Sequence, residues 1–253
     1  VQAAKEADIV VLAIGEDRLQ SGEATSNANI RIPEVQEALL DRIAEVNQNI
    51  VVVLFSGRPL DIREINKKAK AILQVWLPGT EGARAIADTL FGKYNPSGKL
   101  PMSFPYCVGQ VPVHYNEYST GRPHIEGKDK DRFRSKYLDI PNEPLYPFGY
   151  GLSYTTFEVS DIHLDRTWMI EAPVTVKNTG NCTGTETLQL YIHDIAASVV
   201  RPVKELKDFK KVTLLPGEEK KVVFTITEQE LRFLTEDGIY ASEAGEFEIF
   251  IGK

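Results

Sequence analysis

Ile9-Val10-Val11-Leu12-Ala13-Ile14-Gly15-Glu16-Asp17-Arg18-Leu19-Gln20-Ser21-Gly22-Glu23-Ala24-Thr25-Ser26 decides how the first part of this chain is read. Ile9 to Ile14 is apolar and rich in β-branched residues without alternation, the pattern of a strand buried on both faces. A polar loop with two glycines follows, and Pro33 then suits the first position of a helix. Strand, loop and helix in that order put the loop at the carboxyl end of a strand, where open α/β sheets bind ligands. Two glutamates, Glu16 and Glu23, lie in it, and a carboxylic acid so placed can donate a proton.

Working outward, Val35, Ala38, Leu39, Ile43 and Val46 recur at helical spacing, so this face is expected against a sheet. Ile50 to Phe55 reads as a second buried strand, stopped by Ser56-Gly57-Arg58-Pro59, and Leu60 to Ala69 as a short helix. Ala71 to Leu77 reads as a third strand, stopped by Pro78-Gly79, and Ala83 to Phe91 as a helix ended by Gly92. This order predicts right-handed βαβ units with parallel strands. The rhythm is lost over 93–148. Asn95-Pro96-Ser97-Gly98 is a turn, and Leu100 to Pro105 is expected to pin a long crossing connection to the first region. Ile125 to Lys136 reads as a solvated loop. From Gly149 the period becomes two, in Phe157 to Ile162, Val174 to Val176, Leu188 to Ile192, Val222 to Ile226 and Phe247 to Ile251. Turns at Asn178-Thr179-Gly180-Asn181, Pro216-Gly217-Glu218 and Glu243-Ala244-Gly245 separate them, which predicts an immunoglobulin-like or fibronectin-type sandwich.

A chain of 253 residues accommodates one or two domains, and 42% apolar with 26% charged residues is ordinary for a globular protein. A net charge of −7 disfavours nucleic acid and anionic membrane surfaces as main partners and is compatible with neutral ligands such as sugars. No apolar run approaches the roughly 20 residues of a membrane span. Val1 to Ala7 reads like the tail of a helix leading into a strand, so the chain is expected to be cut from a longer one. Cys107 and Cys182 fit neither a metal spacing nor a disulfide framework and are expected as unpaired thiols.

Glu23 is flanked by Ser21, Gly22, Ala24, Thr25 and Ser26, small neighbours that let a ligand approach its carboxyl. The spacing alone equally describes a solvated loop glutamate. Glu16, nearer the strand end, suits an orienting role such as holding an amide, Asp17 and Arg18 a surface pair, and Arg58 a partner for a carboxylate. Gly79-Thr80-Glu81-Gly82 lacks the lysine of a phosphate loop and reads as a Thr80 cap with Glu81 in the first helical turn. Trp76 reads as core packing or as the lining of a sugar site. No metal-ligand cluster stands near Glu23, no cofactor motif occurs, and no nucleophile elbow accompanies the four histidines.

Together these segments resemble the C-terminal part of family 3 glycoside hydrolases of the bacterial β-glucosidase type. The resemblance is carried by Ala7-Asp8-Ile9-Val10-Val11, Ser21-Gly22-Glu23-Ala24, Ser56-Gly57-Arg58-Pro59 and Trp76-Leu77-Pro78-Gly79-Thr80-Glu81-Gly82. Phe91 to Pro101, Tyr146 to Tyr154, Arg201 to Leu206 and Leu215-Pro216-Gly217-Glu218 extend it over essentially the whole chain. It implies an α/β + all-β chain: a partial α/β sandwich domain with mostly parallel strands over 1–105, a connecting segment over 106–148, and a fibronectin type III-like β-sandwich over 149–253. Glu23 matches the family's general acid/base; Glu16 matches no catalytic position. Many relatives carry Ser-Arg where this chain has Ser26-Asn27.

The implied mechanism is retaining. An aspartate nucleophile from an N-terminal (β/α)8 barrel, absent from this chain, attacks the anomeric carbon of a β-linked oligosaccharide or glycoside while Glu23 protonates the leaving oxygen. Glu23 then deprotonates the water that frees the sugar. Such pairs stand about 5 Å apart, and Glu23 must start the cycle holding its proton, which burial against the barrel and the nucleophile's charge favour. The chain alone is therefore expected not to hydrolyse glycosides, and the relatives imply a periplasmic or secreted protein. Two other readings compete: a non-catalytic carbohydrate-binding or scaffolding protein, and a β-N-acetylglucosaminidase of the same family, against which the Ser21-Gly22-Glu23 loop argues.

Overall fold

The computed structural model describes residues 1–125, 127, 131–166 and 170–252; of the loop expected over 125–136, residue 126 and residues 128–130 lie outside these. The chain divides into two compact units. One comprises Val1–Tyr94, Met102–Val113 and Asp139–Pro147, the other Asn95–Pro101, His114–Leu138 and Phe148–Lys253.

The first unit runs α1 (Gln2–Glu6), β1 (Val10–Gly15), α2 (Glu34–Ala44), β2 (Ile50–Phe55), α3 (Arg63–Lys68), β3 (Ala71–Trp76) and α4 (Gly82–Leu90). The three strands form a parallel sheet in the order β1-β2-β3, as successive βαβ units require. Its centre is β2, where Ile50, Val52 and Leu54 are fully buried. Phe104 is buried and pairs with Tyr146 through backbone hydrogen bonds in both directions.

Three expectations need correction. The first concerns β1, an edge strand covered on one face among the described residues: Leu12 and Ile14 are buried, whereas Val11 is 51% exposed. The second is the rotation of α2. Leu40 and Ile43 face inward, but Val35 is 76% exposed and Ala38, Leu39 and Val46 are also exposed. Gln36 shares the inward face and hydrogen-bonds the end of β1, which fixes the helix rotation. The third concerns caps. Pro33 is at the N-cap position of α2, its ψ of 136° lying outside the helix, and Glu81 rather than Thr80 occupies that position of α4, with no side-chain capping bond.

The second unit holds β4 (Phe157–Ser160), β5 (Asp165–Arg166), β6 (Ile170–Asn178), β7 (Gly184–Asp194), β8 (Glu205–Leu214), β9 (Glu219–Ile226), α5 (Glu228–Leu231), β10 (Phe233–Leu234), β11 (Tyr240–Ala241) and β12 (Phe247–Gly252). One antiparallel sheet is ordered β12-β7-β8; in the other, β6 carries β4 and β5 along one edge and β9 along the other. Val174, Val176, Leu188, Leu190, Leu214 and Phe224 lie at the heart of the core between them. The sequence pattern gave no sign of β8, because Lys207, Lys210 and Lys211 interrupt it. Lys210 nevertheless lays its chain over the Phe224 ring, Nζ 5.2 Å from the centroid, and donates to the Val223 carbonyl at 2.6 Å, the way a long cation covers apolar surface. Asn178 ends β6 fully buried with both ends of its amide satisfied: it donates to the carbonyls of Cys182 and Leu214 and accepts from Thr155 Oγ1 and Gly180 N. Cys107 and Cys182 are both free thiols.

Two polar features anchor this unit. Lys99 Nζ donates to Glu186 at 2.8 Å and to the Gly151 carbonyl at 2.7 Å, the two side chains being 13% and 4% exposed. Removing one partner of a buried pair strands the other charge. Lys99→Met is therefore expected to cost about 3 kcal/mol in urea unfolding, and Lys99→Met with Glu186→Leu to recover most of it.

Tyr191 is enclosed by Tyr115 and Phe148 and donates to Gln189 at 2.7 Å. Burial, with the neighbouring Tyr115 phenol, pushes its own phenol up to about 12. The folded state thus keeps its proton where the unfolded chain, titrating near 10, loses it. This contribution to stability is intact below about pH 10 and disappears as pH rises through about 12. Absorbance titration is expected to show a phenolate step near 12 that is missing in Tyr191→Phe.

Candidate active site

The loop after β1 is set by a close approach of two strands. Gly15 has φ +138°, and a Cβ on it would lie 1.8 Å from the Phe55 carbonyl oxygen, so only glycine fits. Glu16 N donates to that same oxygen at 2.8 Å. From α2, Gln36 reads both backbone groups of Gly15, accepting from its N–H at 2.8 Å and donating to its carbonyl at 3.0 Å. Sequence reasoning overlooked Gln36. Its trace was a polar residue in helical register with Leu40 and Ile43.

Glu16 takes the orienting part expected of it. Its carboxylate is 3% exposed, accepts from Gly57 N at 3.1 Å and pairs with Arg58 Nε at 3.0 Å. Arg58 also uses one terminal nitrogen on the loop backbone, donating to the carbonyls of Gln20 at 2.6 Å and Thr25 at 2.9 Å. Asn27 donates to the same Gln20 carbonyl at 3.2 Å. Asp17 is not a partner of Arg18: its Oδ1 accepts from Leu19 N and Gln20 N and closes a short turn. A Cβ on Gly57 would meet Ser21 Oγ at 1.8 Å and make that hydroxyl turn away.

Glu23 stands at the apex of the loop. The Thr25 backbone N–H and hydroxyl both bond the Gly22 carbonyl, at 3.3 and 2.6 Å, closing a turn around Glu23. Gly22 at φ +145° and Ala24 at φ +60° flank it in conformations that hold the chain in a sharp reversal. The side chain is exposed, and its carboxylate makes no hydrogen bond or ion pair among the described residues. Beside it lies an open depression of about 420 Å³, bordered by Ser21, Gly22, Thr25, Gly57, Arg58 and Leu77. Trp76 has a left-handed backbone, φ +51°, and a ring 5.9 Å from Phe104, so it packs in the unit rather than bordering this depression. Among the described residues no three His, Cys, Asp or Glu side chains gather as metal ligands, and no helix is long and apolar enough to cross a membrane.

Residues 1–154 match the model of the glycosyl hydrolase family 3 C-terminal domain. The chain belongs to glycosyl hydrolase family 3. It is a C-terminal portion of that family's architecture, and residues 186–253 match a fibronectin type III-like domain. It is 49% identical over its whole length to a periplasmic β-glucosidase of Salmonella typhimurium and 42% identical to a β-xylosidase of Formosa agariphila, covering 34% of each. A crystal structure of β-glucosidase from Listeria innocua in complex with glucose superposes with a TM-score of 0.95 at 45% identity, over 99% of this chain and 35% of that one. This family 3 chain thus spans about a third of the length of the curated relatives it matches.

The Gly15 contact generates a direct test. Gly15→Ala forces β1 and β2 apart where the loop begins and is expected to cost about 3 kcal/mol or more in thermal or urea unfolding. Gly22→Ala, with nothing within 4 Å of its Cβ, meets only the backbone penalty of a positive φ and is expected to cost less.

Proposed function

We propose that this chain is the acid/base-bearing portion of a retaining β-glycosidase that removes terminal non-reducing β-D-glucosyl or related residues from oligosaccharides and glycosides. Glu23 is the general acid/base. The observation that carries the reading is Glu23 itself: an uncommitted carboxylate at the apex of a braced loop, in the family's motif Ser21-Gly22-Glu23-Ala24. Glu16, the other carboxylate of the loop, is occupied by Arg58 and Gly57. On this reading residues 1–105 carry the acid/base loop, 106–148 connect, and 149–253 form the fibronectin-type module. The nucleophile comes from a barrel domain preceding this chain in the longer protein. The relatives' names favour β-glucosides over β-xylosides as substrate and a periplasmic or secreted location.

In the first half-reaction the nucleophile's oxygen bonds to the anomeric carbon as the glycosidic C–O bond breaks, and Glu23 gives its proton to the departing oxygen. Glu23, now a carboxylate, takes a proton from water as the water oxygen replaces the nucleophile at that carbon, with net retention. Exposed on its own loop, Glu23 needs the barrel face to strip its water and favour the protonated acid.

The test uses the longer protein with Glu23→Ala and a 2,4-dinitrophenyl β-glucoside, whose leaving group needs no proton. Turnover is expected to stall at the glycosyl-enzyme and to be restored by azide, giving β-glucosyl azide. Absence of azide rescue, or an α-configured azide, contradicts the assignment. The isolated chain is expected to show no turnover; activity of that chain abolished by Glu23→Gln would place the whole site within it.

A further inference from the structure

We propose that Arg58 is the positioning residue of the acid/base loop and sets where Glu23 delivers its proton. This rests on reading Glu23 as the acid/base. Arg58 belongs to the turn after β2, 35 residues on in sequence from Glu23, and touches neither its carboxylate nor its own backbone. Its guanidinium instead grips the loop on both sides, at the Gln20 carbonyl three residues before Glu23 and at the Thr25 carbonyl two residues after it. The same nitrogen serves both, so the two limbs of the loop are drawn to one point. The remaining edge of the guanidinium holds Glu16, whose backbone N–H is bonded to the end of β2 and whose second oxygen takes the Gly57 amide. The apex is thus referenced to the sheet through a single planar cation.

No other side chain can make this set of contacts. Lysine can neutralise Glu16 but has no rigid fork with which to bridge two carbonyls and a carboxylate together. The contacts are charge-assisted and partly shielded, Arg58 being 25% exposed, which strengthens them relative to open solvent. Between the two grips the chain is shaped by Gly22 and Ala24 at positive φ and by the Gly22–Thr25 turn. Without Arg58 no side-chain hydrogen bond among the described residues ties that hairpin-like apex to the sheet, the Asn27 bond to the Gln20 carbonyl lying within the loop itself. A loop that swings by about 1 Å misplaces the acid, and errors of that size cost roughly 100-fold in rate.

The experiment measures kcat/KM of the longer protein for two β-glucosides, one with an alkyl or sugar leaving group and one with 2,4-dinitrophenolate. Arg58→Ala and Arg58→Lys are compared with Glu23→Ala. Glu23→Ala is expected to lose at least about 1,000-fold on the poor leaving group and less than about 10-fold on the activated one. Arg58→Ala is expected to show the same skew at about 100-fold against less than about 10-fold, with Arg58→Lys recovering little of it. Equal losses on both substrates, or full recovery by lysine, overturn the proposal, the first making Arg58 merely structural and the second merely a charge. Absence of skew in Glu23→Ala itself defeats the acid/base reading instead, and the two failures are told apart by that variant. Should Arg58→Ala not fold, as judged by its circular dichroism, Arg58→Lys carries the same comparison.

Discussion

The approach of Gly15 to the Phe55 carbonyl is the constraint on which the rest of the site depends. It brings the carboxyl ends of β1 and β2 together so closely that a side chain has no room. As a consequence Glu16, the next residue, reaches the turn after β2 and meets Gly57 and Arg58. Arg58 in turn gathers the loop that carries Glu23. A backbone contact between two parallel strands is thereby converted, through one partly buried ion pair, into the position of an exposed carboxylate some residues away.

The site divides its labour between two glutamates of one loop. Glu16 has its charge consumed by hydrogen bonds and is nearly inaccessible, which suits a scaffold. Glu23 has small neighbours, no partner among the described residues and free access to solvent, which suits a group meant to meet something from outside its own unit. A general acid cannot be saturated by intramolecular donors and still give up a proton to a leaving group.

Much of this was legible in the sequence, and the illegible parts have physical causes. β2 was readable because every position of Ile50 to Phe55 serves a central strand. The run Ile9 to Ile14 announced a strand but not its place at an edge, since an apolar residue does not say what covers it. The rotation of α2 was misjudged because Val35, Leu39 and Val46 make a better apolar stripe than Gln36, Leu40 and Ile43; the core takes Leu40 and Ile43, and Gln36 on the same face is paired with the Gly15 backbone. β8 was hidden by its lysines, one of which, Lys210, lies over the Phe224 ring. Arg58 was expected to find a carboxylate, but nothing in Ser56-Gly57-Arg58-Pro59 tells that it would also grip two carbonyls, because that depends on where the loop folds back.

The most direct measurement is the pH dependence of kcat/KM for phenyl β-glucoside, whose leaving group does need acid assistance, in the longer protein, native against Glu23→Gln. A general acid must be protonated to act, so its loss on ionisation forms the alkaline limb of the profile. If Glu23 is the acid, that limb is flattened in Glu23→Gln while the acidic limb, belonging to the nucleophile, stays. An alkaline limb that persists unchanged in the variant would show that another group donates the proton and would contradict the account.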